Sequence, residues 1–183
     1  MQDSPVLAAA LEQFHTYKAL AEKSLAQVAG DEKFFCQIDA ESNSVALILK
    51  HLAGNLRSRW RDFLSTDGEK TDRDRDGEFV TEATDSRAIL ESQWQEAWAI
   101  TFGSLEKLSD KDLLREVRIR GEPHTVLKAI NRNLTHLAYH VGQITFLAKH
   151  LVGQRWQTLS TPRNRNRYME PPAKTTEKTT RSG

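Results

Sequence analysis

Residues 124–153 read HTVLKAINRNLTHLAYHVGQITFLAKHLVG, and their periodicity decides the fold class. Val126, Ile130, Leu134, Leu137, Val141, Ile144, Ala148 and Leu151 recur at three- and four-residue intervals, the spacing that places side chains on one face of an α-helix. A helix is predicted from about His124-Thr125 to Val152. Gly153 stops it, because glycine takes the positive φ of a helix C-terminus without strain. Beside the apolar stripe runs a polar one: Asn133, His136, His140 and Gln143. Such a line either faces water or borders a cavity.

Working outward, three more segments carry the same period. Leu7, Leu11, Phe14, Leu20, Leu25 and Val28 predict a helix from Pro5 to Ala29, ended by Gly30. Asn43 or Ser44 caps a second helix that runs to about Leu64 through Val45, Ile48, Leu49, Leu52, Leu56, Trp60 and Phe63, with Arg57, Arg59 and Arg61 on its outer and flanking faces. A third runs from the Thr84-Asp85-Ser86 cluster to Leu108, burying Ile89, Leu90, Trp94, Ala97, Trp98, Phe102 and Leu105. Asp31 to Asn43 is a connector whose Phe34, Phe35 and Ile38 lie over the core. Ser109 to Asp112 opens a short turn, and residues 117–123 form an extended segment or small hairpin broken at Gly121-Glu122-Pro123. Residues 65–85 are rich in Asp, Glu, Gly, Thr and Arg, which marks one long crossover. Four amphipathic segments, one crossover and no convincing sheet predict an all-α four-helix bundle over residues 1–160. The Arg-, Asn-, Lys- and Thr-rich residues 161–183 read as a basic, disordered tail.

The bulk composition narrows the function classes. Lys and Arg together number 26 against 25 Asp and Glu, a balance that does not suggest nucleic acid as a partner. The single cysteine, Cys36, excludes an intramolecular disulfide framework and fits a reducing cytoplasm. Beside Phe34 and Phe35 it reads as a buried or half-buried thiol rather than a nucleophile. There is no basic-then-apolar leader pattern after Met1 and no apolar run of membrane-spanning length. The expectation is a cytoplasmic protein that does not meet a membrane.

Chemistry concentrates on histidine. His136 and His140 lie four apart on one helical face, and His51 sits in the apolar context Leu47-Ile48-Leu49-Lys50-His51-Leu52-Ala53 on a helix able to face theirs. Three neutral imidazoles would hold a divalent transition metal and leave a coordination position open. Hydrogen-bonded structural histidines are the rival reading. Asn55, Asn133 and Gln143 are candidates to orient the ligands. The small residues Ala53, Gly54, Ala138 and Gly142 allow the two helices either to approach closely or to leave room for a ligand. The sequence contains no visible general base, Ser-His-Asp order, phosphate-cradling loop or dinucleotide fingerprint.

Several stretches carry a resemblance. Lys50-His51-Leu52-Ala53-Gly54-Asn55-Leu56-Arg57-Ser58-Arg59-Trp60, Thr66-Asp67-Gly68-Glu69-Lys70, Arg118-Ile119-Arg120-Gly121-Glu122-Pro123-His124-Thr125 and Tyr139-His140-Val141-Gly142-Gln143-Ile144 make residues 8–162 resemble an uncharacterised branch of the DinB-like (YfiT-type) superfamily. The resemblance implies a four-helix bundle with a long crossover, often a homodimer, with a divalent metal (Zn, Ni, Fe or Mn) on His51, His136 and His140. It also implies chemistry with a low-molecular-weight thiol, as a transferase or isomerase, with hydrolysis as a further use of the metal. A non-enzymatic dimeric bundle acting as a binding or stress-response scaffold is the reading from a different class.

Other motifs read as structural. Asp72-Arg73-Asp74-Arg75-Asp76-Gly77 opens like a calcium loop, but position twelve is Ala83 where a bidentate Glu is required. Trp60, Trp94 and Trp98 fall at core positions, and Tyr139 reads as packing. His15, His124 and His150 have no partner by spacing and are assigned surface or capping roles. The basic tail, including Arg163, Arg165 and Arg167, reads as solvated rather than nucleic-acid binding.

Overall fold

The computed structural model describes residues 4–161. It is mostly helical with one small sheet: α1 (Pro5–Leu25), α2 (Asp31–Phe35), α3 (Val45–Trp60), α4 (Arg87–Leu105), β1 (Glu116–Ile119), β2 (Glu122–Thr125) and α5 (Val126–Val152). Side-chain oxygens cap four helices at their N-termini: Ser4 for α1, Ser44 for α3, Ser86 for α4 and Thr125 for α5 each accept the backbone N–H three residues on. The cap ahead of α3 is Ser44, one of the two residues anticipated. The four long helices pack about one core, with α3 against α4 and α5, and α1 against α5 and α4. At its centre Phe14 meets Trp60 and Trp98 edge-on, and Trp94 meets Trp98 in the same way. No helix of the described residues is long and apolar enough to cross a membrane. The predicted basic tail lies outside the described residues.

Three helices end earlier than the sequence suggests, and the reason in two cases is a side chain that takes the terminal carbonyls. α1 stops at Leu25 rather than Ala29 because the Arg87 guanidinium, arriving from α4, donates to the carbonyls of Leu25 and Val28 at 2.9 and 2.6 Å. Gly30, with φ of 78°, instead begins α2. α3 stops at Trp60 rather than Leu64 because Ser104 donates its hydroxyl to the Trp60 carbonyl at 2.6 Å. The chain then reverses at Asp62, whose φ is 50°. α4 ends at Leu105 rather than Leu108.

Four burial expectations are corrected. Ile89 lies half out of the core at 46% exposure, one residue off the Leu90, Trp94, Ala97, Trp98, Leu105 stripe. Phe34 fills the core and Ile38 does not. Cys36 is exposed, since it leaves α2 in extended conformation just after Phe34 has turned inward. Arg59, expected on an outer face, is only 4% exposed.

Residues 117–123 do form the small hairpin. β1 and β2 pair antiparallel with Val117 opposite His124 and Ile119 opposite Glu122. Arg120 and Gly121 both take positive φ, 57° and 76°, the pattern of a tight type I′ turn. The cost at Arg120, which is not glycine, is offset by Asp67: its carboxylate accepts the N–H groups of Arg120 and Gly121 at 2.8 and 2.7 Å. That contact fastens the crossover (residues 65–85) to the hairpin.

α3 and α5 run antiparallel and are joined by a buried polar clamp. The Trp60 indole N–H donates to Asn133 Oδ1 at 2.9 Å, and the Asn133 amide donates to Asn55 Oδ1 at 3.1 Å. Replacing Trp60 by Phe keeps most of the packing but leaves Asn133 Oδ1 unpaired. Urea unfolding should report a loss of about 1–3 kcal/mol. Ile89→Ala, on the half-exposed face, should cost less than about 1 kcal/mol.

Candidate metal centre

His51 is supplied by α3, and His136 and His140 by α5. Each sits where helical spacing turns it into the seam between the two helices, and one ligand atom from each lies within 4.8 Å of the others. His51 is 4% exposed and His140 9%. The closest approach is His51 Nε2 to His136 Nε2 at 3.1 Å. Two imidazole nitrogens held at about 2.0–2.1 Å by a tetrahedral ion lie ~3.3 Å apart, so the spacing fits a shared ion.

The outer nitrogens of two rings are already engaged, which fixes their orientation. Gln143 Oε1 accepts from His140 Nδ1 at 2.8 Å. Glu78 Oε2 accepts from His51 Nδ1 at 2.9 Å. With Nδ1 donating outward in both rings, Nε2 is the nitrogen turned toward the seam. His136 differs: its Nδ1 is buried and has no hydrogen-bond partner among the described residues. Burial, followed by the fields of His140, His51, Arg73 and Arg59, lowers the His136 pKa to about 3. Burial lowers His140 as well, against the opposing bond to Gln143. Both rings are therefore neutral near pH 7, the protonation state that a metal requires.

Glu78 is the residue that sequence reasoning missed. It lies in the crossover, in a short turn of 3-10 helix (Gly77–Phe79), and is 6% exposed. Burial works against its charge. Hydrogen bonds from His51 and Arg73, together with the Arg73 charge, nevertheless hold its carboxyl below the ordinary carboxylate value. Arg73 donates Nε to Glu78 Oε1 and Nη2 to Oε2, both at 2.7 Å, and turns Nη1 to Glu69 at 3.1 Å. Such a two-pronged pair is among the strongest hydrogen-bonded arrangements available to a carboxylate. Phe79, next in sequence, stacks on the His51 ring with centroids 4.6 Å apart.

Gly54 makes this possible. A Cβ there would stand 2.1 Å from Glu78 Oε1, so the small residue on α3 receives the crossover carboxylate and not the facing helix. Gly142 meets nothing within 4 Å. Of the candidate orienting residues, Gln143 touches the His140 ring, whereas Asn55 and Asn133 bond each other. Both asparagines line the cavity above the histidines.

That cavity is about 750 Å³, bordered by all three histidines, by Asn43, Phe79 and Tyr139, and by several arginines. Tyr139, assigned to packing from sequence, is 64% exposed at its mouth and meets His140 edge-on. The calcium-like aspartates go elsewhere. Asp72 pairs with Arg61, and Asp74 accepts the Gly77 N–H at 3.0 Å. Of the remaining histidines, His15 stacks on Phe102 and His124 is buried in the hairpin.

Gly54→Ala tests the carboxylate seat. Alanine favours helix by about 1 kcal/mol over glycine, so α3 alone would gain. Displacing Glu78 should outweigh this and leave the chain about 1–3 kcal/mol less stable in urea unfolding. A variant as stable as the parent would show that Glu78 does not need that seat.

A search of curated proteins finds no match to this chain. One family pattern covers nearly all of it: over residues 3–165 the chain belongs to the family described as Protein of unknown function (DUF1572).

Proposed function

We propose that this chain is a DinB-like four-helix bundle with one long crossover, in which His51, His136 and His140 hold a divalent transition metal (Zn, Ni, Fe or Mn). The proposed activity is transfer or rearrangement of a small electrophile with a low-molecular-weight thiol, with hydrolysis as the other use of the same site. One observation carries the reading. Three imidazoles converge at the wall of an open cavity, two with their outer nitrogens anchored. When bound, an ion of this class lowers the pKa of a coordinated water or thiol and so supplies hydroxide or thiolate near neutral pH.

The chain's own residues do the rest. Glu78 holds the His51 ring and keeps its proton on Nδ1, and Gln143 does the same for His140. Phe79 covers one face of His51 and keeps water from that side. The Asn55 and Asn133 amides border the space beside the histidines. Cys36, the only thiol in the sequence, is not among the residues lining this cavity. A thiol nucleophile therefore has to arrive as a cosubstrate.

Elemental analysis of the full chain beside His51→Ala, His136→Ala and His140→Ala tests the assignment. About one transition-metal ion per chain is expected in the parent, falling at least tenfold in each variant while helical circular dichroism persists. Wild-type metal content in His140→Ala would sink the assignment. A chain that cannot be loaded with Zn, Ni, Fe or Mn, and whose behaviour no chelator changes, would favour the non-enzymatic dimeric scaffold instead.

A further inference from the structure

The seam between α3 and α5 carries two parallel rows at four-residue spacing. His51, Asn55 and Arg59 run along α3, and Arg132, His136 and His140 run along α5. Because the helices are antiparallel, the histidines meet at one level, Asn55 meets Asn133 at the next, and Arg59 and Arg132 face the cavity beyond. Four residues of helix rise about 6 Å. The two arginines therefore lie one to two helical turns from the imidazole cluster, along the same cavity.

These arginines differ from their neighbours. Arg73 is held by Glu78 and Glu69, Arg120 by Glu69 at 3.4 Å, and Arg75 by Asp76 at 3.8 Å. Among the described residues, neither Arg59 nor Arg132 has a carboxylate within ion-pair distance. Arg59 is 4% exposed, and among the described residues its one side-chain hydrogen bond is a long one from Nε to the Gly68 carbonyl at 3.4 Å. Gly68 is tight against it, since a Cβ there would stand 3.0 Å from Arg59 Cδ and Nε, and the Arg59 side chain borders the cavity. Burial, and then the neighbouring charge of Arg132, lower Arg59 to about 10 against the opposing field of Glu69, which leaves it cationic at neutral pH. A buried cation beside a second cation, with no carboxylate in ion-pair contact with either among the described residues, is costly unless an anion joins them.

We infer that Arg59 and Arg132 form the seat for the carboxylate or phosphate group of a small anionic substrate, whose other end reaches the three histidines. The substrate is thus a short molecule with its anionic group about 6–12 Å from its reacting end, within the dimensions of the cavity. The inference rests on the proposed metal reading for the identity of the reacting end. The anion seat belongs to the chain itself and can be measured without metal.

The test is calorimetric titration of the metal-free full chain with succinate, inorganic phosphate and neutral succinamide, beside Arg132→Gln and Arg59→Met. Arg132 is exposed, so Arg132→Gln should fold normally and carries the test if Arg59→Met does not. At least one anion should bind the parent, succinamide at least tenfold more weakly, and Arg132→Gln should weaken the anion at least tenfold. Binding of succinate alone identifies a carboxylate seat, and of phosphate alone a phosphate seat. Absence of binding by both anions, or equal affinity in Arg132→Gln, overturns the inference. His140→Ala separates the two readings. Loss of its metal with anion affinity unchanged by Arg132→Gln defeats only the anion seat. Retained metal with the arginine effect intact defeats only the metal assignment.

Discussion

A single carboxylate, that of Glu78, ties the crossover to the helices and the helices to the imidazole cluster. Left alone it could not be buried, because removing an unpaired charge from water costs far more than a domain has to spare. Both of its oxygens are accounted for: Arg73 grips them together, and His51 adds a third bond. Each partner is constrained in return. Arg73 is fixed by Glu69 as well, His51 can turn only one nitrogen toward the seam, and position 54 of α3 has no room for a side chain. Seventeen residues separate Trp60 from Glu78 on a path that is irregular until Gly77. Its position is therefore set by these charge pairs rather than by any hydrophobic run.

The same logic explains why a polar seam can exist inside an otherwise apolar assembly. Two helices brought together by Leu, Ile and Trp would close over any gap between them. Here Trp60 donates to Asn133, and Asn133 to Asn55, so each amide is worth burying only if the helices keep this register. A slide of one residue along either helix would rotate the histidines out of the seam and leave the indole N–H unpaired. The clamp thus sets the register, and the register sets which side chains share the cavity. The hairpin adds one wall: Asp67 stabilises its turn, and the turn presents Arg120 to the cavity.

The helices and the histidine cluster were legible in the sequence because both depend on local spacing. Val126 to Leu151 keep one period for the whole length of α5, and His136 and His140 must share a face wherever that helix lies. The polar stripe of Asn133, His136, His140 and Gln143 likewise pointed to the seam. What could not be read depends on partners distant in sequence. The true end of α1 is set by Arg87, and that of α3 by Ser104. Glu78 was hidden because its surroundings, from Asp72 to Glu82, have the composition of a solvated loop. The one signal available was Gly54, a glycine in mid-helix beside His51, where something other than a helix had to come close.

The run Asp72-Arg73-Asp74-Arg75-Asp76 shows how alternation in an irregular segment can be sorted by burial rather than by a bound ion. Read as a calcium loop, the aspartates would converge and the arginines would be intruders. In the folded chain the reverse occurs. Asp72 and Asp74 turn outward to Arg61 and to the Gly77 backbone, while Arg73 turns inward to the carboxylate it shares with His51. Arg75 lies over Phe79, the residue stacked on His51. The segment therefore places Arg73 and Arg75 at the wall of the cavity with their counter-charges beside them, Glu78 and Glu69 on Arg73 and Asp76 on Arg75. The cations left over on that wall are Arg59 and Arg132, which have no carboxylate within ion-pair distance among the described residues. As ligands the three histidines would bring nitrogen lone pairs and no negative charge to an ion. The charge left on a divalent ion would then have to be met by what the cavity admits, and an anionic molecule meets it.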